Sequence, residues 1–136
     1  MRAWELFEEL NWAVGPNINH AYGAIKNDLN DPDYMVVWVD IKDLFDKTYS
    51  QQRLNVDDPT GGENSIGNRV ERAKEFWHKG GYMNPSLVSW NDYCKCFDFS
   101  DGRHRLVAAY QMGERWAPIV IDKESTGKLK ELVKTK

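Results

Sequence analysis

Apolar residues recur along this chain at two periods. Ala3, Phe7, Leu10 and Val14 fall on one helical stripe that Gly15-Pro16 closes, and Ile18, Tyr22, Ile25 and Leu29 repeat at the same spacing before Asn30-Asp31-Pro32. The spacing predicts two helices within residues 1–34. Met35–Val39 is instead a continuous β-rich run, followed by Ile41, Leu44 and Phe45 on a short helical turn. Residues 55–64, N-V-D-D-P-T-G-G-E-N, carry the marks of a loop, and such a loop is a candidate cover for a site. Helical spacing returns with Ile66, Val70, Ala73 and Trp77, opened by Ser65 and stopped by Gly80-Gly81. Strands are predicted near 87–90 and 94–99, joined at Asn91-Asp92. A helix near 103–112 stops at Gly113, Pro118 opens a strand near 118–121, and a short helix runs from Thr126 to Val133. Strands alternating with capped helices predict an α/β (α+β) domain over 35–136, a small mixed sheet flanked by helices. Residues 1–34 are expected to form an N-terminal helical extension.

Composition narrows this picture without redirecting it. At 136 residues and 41% hydrophobic, the chain suits one core, and no apolar run approaches membrane-spanning length. Glu5, Glu8 and Glu9 exclude an ordinary signal peptide. A net charge of −3 argues against a broadly basic nucleic-acid surface but leaves room for a local basic site. Cys94 and Cys96, two apart on an expected strand, are read as free thiols in a cytoplasmic protein. No second cysteine pair or nearby histidine completes a zinc site.

The chemistry concentrates in D98-F-S-D-G-R-H-R105. Ser100, Asp101 and Gly102 form a turn, and a helix begins with Arg103, His104 and Arg105. A helix N-terminus exposes unpaired N–H groups and about half a positive charge, so cations are unfavourable there unless an anion joins them. Their clustering predicts a bound phosphate or carboxylate. Gly102 removes a side chain where such a ligand would approach the backbone.

The order of these elements resembles the ParB/sulfiredoxin-like superfamily. A strand is followed by the Gln52-Arg53 loop, a helix ending in glycine, N84-P-S-L-V-S-W90, a strand, D101-G-R-H-R105, a helix ending in M112-G113, and A117-P-I-V-I121. The resemblance covers about residues 35–121. It implies nucleotide binding at the loop, with Gly102, Arg103, His104 and Arg105 on the phosphates and Gln52 and Arg53 approaching from the facing segment. The chain departs from sulfiredoxins at Arg103, which stands where their catalytic cysteine would be, so sulfinic acid repair is not expected. It departs from partition proteins in running only about fifteen residues past Ile121, and in having no Glu-Asn-x-x-Arg element after the loop helix.

Three functions follow from the resemblance. The first is a nucleotide-binding enzyme, a nucleoside triphosphatase or small-molecule kinase, using ATP or CTP with Mg²⁺. Asp101 would hold the metal, and Asp101, His104 and Glu63 are the catalytic candidates. The second is a non-catalytic interaction or inhibitor protein of a phage or mobile element, with a protein partner. The third is a metal-assisted DNA nuclease built on Asp98, Asp101 and His104, which the acidic net charge disfavours.

Overall fold

A computed structural model describes residues 10–136 of the chain. Four strands form one mixed sheet: β1 Tyr34–Asp40, β2 Ser86–Asn91, β3 Cys96–Asp101 and β4 Trp116–Asp122, in the order β1-β4-β2-β3. β1 runs antiparallel to β4, with Val37 opposite Ile119, and β2 runs parallel to β4. β2 and β3 form an antiparallel hairpin whose register shifts between Leu87 and Val88. Leu87 faces Asp101 and Val88 faces Phe99, so Ser100 is the extra residue of a bulge that bends the strand just before the Asp101-Gly102 turn. β4 lies inside the sheet, and its Ala117–Ile121 stretch is buried without a break. This explains why it reads as a continuous apolar run rather than an alternating one.

Among the described residues there are five α-helices: α1 Ile25–Leu29, α2 Ile41–Asp46, α3 Arg69–His78, α4 Arg103–Gln111 and α5 Lys123–Leu132. α4 is the most enclosed. Leu106, Val107, Ala108 and Ala109 have no solvent exposure, and they pack into a core with Val39, Val88, Phe97, Ile119 and Ile121. It ends as the sequence predicts. Gly113 takes φ +101°, the Gly113 N–H donates to the Tyr110 carbonyl, and the Glu114 N–H donates to the Ala109 carbonyl. These are the paired bonds of a Schellman motif. The mixed α/β architecture predicted from the sequence is the one observed. No helix among the described residues is long and apolar enough to cross a membrane.

Several local expectations are corrected. Most of the helix predicted over 2–14 lies outside the described residues. Within them, Trp12 forms an isolated parallel bridge with Met83, the Ala13 N–H donating to the Met83 carbonyl and the Met83 N–H to the Asn11 carbonyl. The helix predicted over 18–29 is split into a 3₁₀ turn at Gly15–His20 and the short α1, because Gly23 adopts φ +70° between them. Trp12 and Val14 join the central core. α3 starts at Arg69 rather than beside Ser65, since Gly67 at φ +58° breaks the backbone ahead of it and leaves Ile66 half exposed. α5 starts at Lys123, three residues before the predicted Thr126, because the Asp122 carboxylate caps it by accepting from the Ser125 N–H.

Cys94 and Cys96 are bonded as a disulfide rather than free. The expectation failed on its premise that both lie along a strand. Cys94 belongs to the hairpin turn and Lys95 takes φ +55°, which folds the backbone so that the two Cα atoms are 5.2 Å apart. That is within the range a disulfide spans. The argument from reduced thiols to a cytoplasmic protein loses its premise with it.

Candidate functional site

A cavity of about 470 Å³ opens between the start of α4, the end of β3 and one face of α3. β3 delivers Ser100 and Asp101, and the turn delivers Gly102. α4 delivers Arg103, His104 and Arg105, while α3 contributes Arg69, Arg72, Ala73 and Phe76, a stripe at helical spacing. Tyr22 and Met83 complete the wall. Its lining thus combines guanidinium groups and a helix N-terminus with the aromatic and thioether side chains of Tyr22, Phe76 and Met83.

Gly102 is the N-cap of α4 at φ +95°, and no side chain caps the helix. Asp101 is not the cap, since its carboxylate pairs with Arg105 at 3.2 Å. The first turn of α4 contains no acidic residue, so its positive end is uncompensated. The glycine is demanded from the protein's own side. A Cβ there would sit 2.6 Å from Ser86 Oγ and 2.9 Å from Ser86 Cα, and the Ser86 hydroxyl donates to the Gly102 carbonyl at 2.8 Å.

The cations divide into two groups. Arg105 is anchored: its guanidinium donates to the carbonyls of Asn84 (3.1 Å) and Pro85 (3.3 Å) as well as to Asp101. Arg103 donates once, to the Gln52 carbonyl at 3.0 Å, and its hold on its proton is weakened by burial and then by Arg69. Arg69 and Arg72 are exposed on α3. Among the described residues, no carboxylate pairs with Arg69, Arg72 or Arg103. Neighbouring cations without counter-charges repel one another, and an anion in the cavity would relieve that repulsion.

His104 is 7% exposed, and its Nε2 accepts the Ile66 backbone N–H at 3.1 Å. Burial, followed by Arg103, Arg69 and Arg105, pushes its pKa down to about 4. The imidazole is neutral at pH 7 and its lone pair is already used, so it is neither a ready base nor a cation for a phosphate. Gln52 and Arg53 also turn to the backbone. The Gln52 side chain accepts from the Phe99 N–H (2.8 Å) and donates to the Phe99 carbonyl (3.1 Å), while the Arg53 guanidinium donates to the Thr48 carbonyl (3.0 Å). Neither side chain lines the cavity, although the Gln52 carbonyl positions Arg103.

The loop read as a cover is tied down. Gln111 Nε2 donates to the Val56 and Asp58 carbonyls, and Asn64 Nδ2 donates to the Ser50 and Arg53 carbonyls. Glu63 is exposed on that loop and does not line the cavity. Asp98 lies on β3 three residues before Asp101, where its carboxylate accepts from Asn91 Nδ2 at 2.6 Å. It borders a different cavity, so Asp98 and Asp101 do not converge as a metal pair. Sequence reasoning missed Arg69 and Arg72. Their separation of three residues on one helix was the available signal.

Fold and site together define a small mixed α/β domain with a cationic cavity at the strand-to-helix turn. No protein family's sequence profile matches the chain, and no curated protein matches it. Among solved structures, the fold is similar to that of the Oncogenic Suppression Activity Protein, a plasmid fertility inhibition factor determined as a gold(I) cyanide derivative. The TM-score is 0.52 at 16% identity, over 74% of this chain and 57% of that one. The chain thus spans little more than half of that protein's length. At such identity the likeness is one of fold alone.

Proposed function

We propose that the chain is a ParB/sulfiredoxin-like domain that binds a nucleotide polyphosphate in the α3–α4 cavity and acts through a protein partner rather than by turnover. The observation that carries this reading is the set of three arginines, Arg69, Arg72 and Arg103, without carboxylate partners among the described residues around an uncapped helix N-terminus. Phosphate oxygens would accept from these guanidinium groups and from the first N–H groups of α4. A base would lie toward Tyr22, Phe76 and Met83, which supply flat and polarisable surface. ATP and CTP both suit such a site.

The side chains favour binding over catalysis. Among the described residues, Asp101 is the only carboxylate lining the cavity, and Arg105 holds it. One engaged carboxylate is a poor donor set for a resident Mg²⁺, so the residues fit the anion and not a dedicated metal. His104 offers no free lone pair. The likeness in fold to a plasmid fertility inhibition factor gives modest support to an interaction or inhibitor role.

The test is titration calorimetry with ATP, CTP, GTP and ADP, with and without Mg²⁺. Replacing Arg69 and Arg72 together by Ala should weaken the best ligand about a hundred-fold or more, given about 1.5–3 kcal/mol for the charged hydrogen bond each one loses. Absence of any nucleotide binding below millimolar concentration would refute the reading. Phosphate release that Asp101→Asn abolishes would restore the enzyme reading.

A further inference from the structure

The β2–β3 hairpin carries chemistry that the anion cavity does not use. Cys94, Cys96 and Asp98 each present a ligand atom within 4.8 Å of the other two. All three are half-buried, and Cys94 and Asp98 border a second cavity of about 460 Å³. We propose that the reduced hairpin binds one Zn²⁺ through the Cys94 and Cys96 thiolates and one Asp98 carboxylate oxygen, and that disulfide formation expels the ion.

Bond lengths of about 2.3 Å to sulfur and about 2.0–2.2 Å to oxygen put the ligand atoms of a tetrahedral zinc site roughly 3.5–3.8 Å apart. Three atoms already within 4.8 Å reach that arrangement once the sulfurs are free to separate. A backbone with Cα atoms 5.2 Å apart lets the two sulfurs either bond or share one ion. Hydrogen bonds, besides the disulfide, shape the scaffold holding these groups. Asn91 Oδ1 accepts from the Tyr93 (2.8 Å) and Cys94 (3.3 Å) N–H groups and shapes the turn. The Asn91 amide also holds Asp98 Oδ2 at 2.6 Å, leaving the other carboxylate oxygen for the ion. Such support of a ligand by a neighbouring donor fixes its direction. Two thiolates and a carboxylate suit a borderline d¹⁰ cation better than Mg²⁺ or Ca²⁺, and solvent in the adjoining cavity supplies the fourth ligand.

The oxidative step balances with a small-molecule disulfide as oxidant. The Cys94 thiolate attacks one of its sulfurs and releases a first thiolate. The Cys96 thiolate then attacks the mixed disulfide at Cys94 and releases the second, and both leaving thiolates take their protons from solvent. The protein loses two electrons, the oxidant becomes two thiols, and Zn²⁺ leaves because disulfide sulfurs are poor ligands.

The test uses the full chain, reduced and then freed of reductant and metal, with Zn²⁺ affinity read by competition against a chromophoric chelator. One equivalent should bind to the reduced protein. The disulfide form and Cys96→Ser should bind at least about a hundred-fold more weakly, and Asp98→Asn about ten-fold or more, as losing a ligand costs no less than losing its outer support. Co²⁺ added to the reduced wild type should give a thiolate-to-metal charge-transfer band that oxidised glutathione removes. That readout needs no variant to fold. Equal affinity in the reduced, oxidised and Cys96→Ser proteins, or a Co²⁺ complex without the thiolate band, overturns the proposal. Both readouts are independent of nucleotide binding at the α3–α4 cavity.

Discussion

His104 should make this domain less stable as the pH falls from 7 to 5. Its pKa is pushed down from 6.5 to about 4 in the folded state, by burial first and by Arg103, Arg69 and Arg105 after it. Between those values the unfolded chain binds a proton that the folded one refuses, so stability rises with pH. The contribution is fully present above 6.5 and is lost as pH falls toward 4. Each pKa unit is worth 1.36 kcal/mol, and integrating from pH 7 to pH 5 gives a loss on the order of 2 kcal/mol. The other two histidines, His20 and His78, are exposed. Asp43, whose carboxyl is held low by the Lys134 N–H and Lys47 despite its own desolvation, acts only below its ordinary range. The assay is urea unfolding at pH 7 and pH 5 in a buffer without phosphate, for wild type and His104→Gln. The variant lacks the titrating ring, so its pH dependence should be flatter by about 2 kcal/mol over that interval. If the two proteins lose stability in parallel to within about 0.5 kcal/mol, then His104 is not held neutral by its surroundings, and its assignment as a buried acceptor for Ile66 is wrong.

Arg105→Ala should lower stability by about 1–3 kcal/mol in urea unfolding, because it leaves the Asn84 and Pro85 carbonyls without their donor. Arg69→Ala, on an exposed face, should change stability by less than about 0.5 kcal/mol while weakening nucleotide binding. Gly102→Ala forces a Cβ against Ser86 at positive φ and should cost at least about 2 kcal/mol, read as a drop in Tm. Gln52→Ala removes both side-chain bonds to Phe99 and should cost about 1–3 kcal/mol, with faster amide exchange at Phe99.

The elements with strong local signals were legible in the chain. α4 and its Gly113 stop were readable because a Schellman end needs a glycine at positive φ, and β4 because a strand buried on both faces has no polar positions. The N-terminal region was not, since Ile18, Tyr22, Ile25 and Leu29 keep helical spacing across a glycine whose sign of φ no spacing reveals. The cysteine pairing was hidden for a related reason. Lys95 at positive φ is a conformation that its residue type does not announce. Within the site, the basic cluster at the start of α4 was visible, but the division of labour was not. Gln52, Arg53 and Arg105 look like ligand donors in sequence, and each is engaged by backbone carbonyl groups: Gln52 and Arg105 by distant segments that tertiary structure brings near, Arg53 by Thr48 within its own loop. Arg69 and Arg72 look like an ordinary solvated face and become distinctive only opposite α4.

The bonds from Gln52 to Phe99 belong to a wider pattern at the margins of the sheet. β3 is an outer strand, and its free side is occupied by the Tyr49 N–H donating to the Phe97 carbonyl, the Phe97 N–H donating to the Lys47 carbonyl, and Gln52 on Phe99. On the opposite margin, the Asp40 N–H donates to the Lys134 carbonyl and the Lys136 N–H to the Trp38 carbonyl. A sheet shielded at both margins resists adding strands from other chains, which guards against edge-to-edge aggregation. It also restricts how a protein could grip this domain. Among the described residues, strand addition is left chiefly the Tyr34–Val37 stretch, which favours engagement through helices, loops or the cavity rim. A protein that engaged the cavity rim would meet Arg69, Arg72 and anything bound between them on one surface.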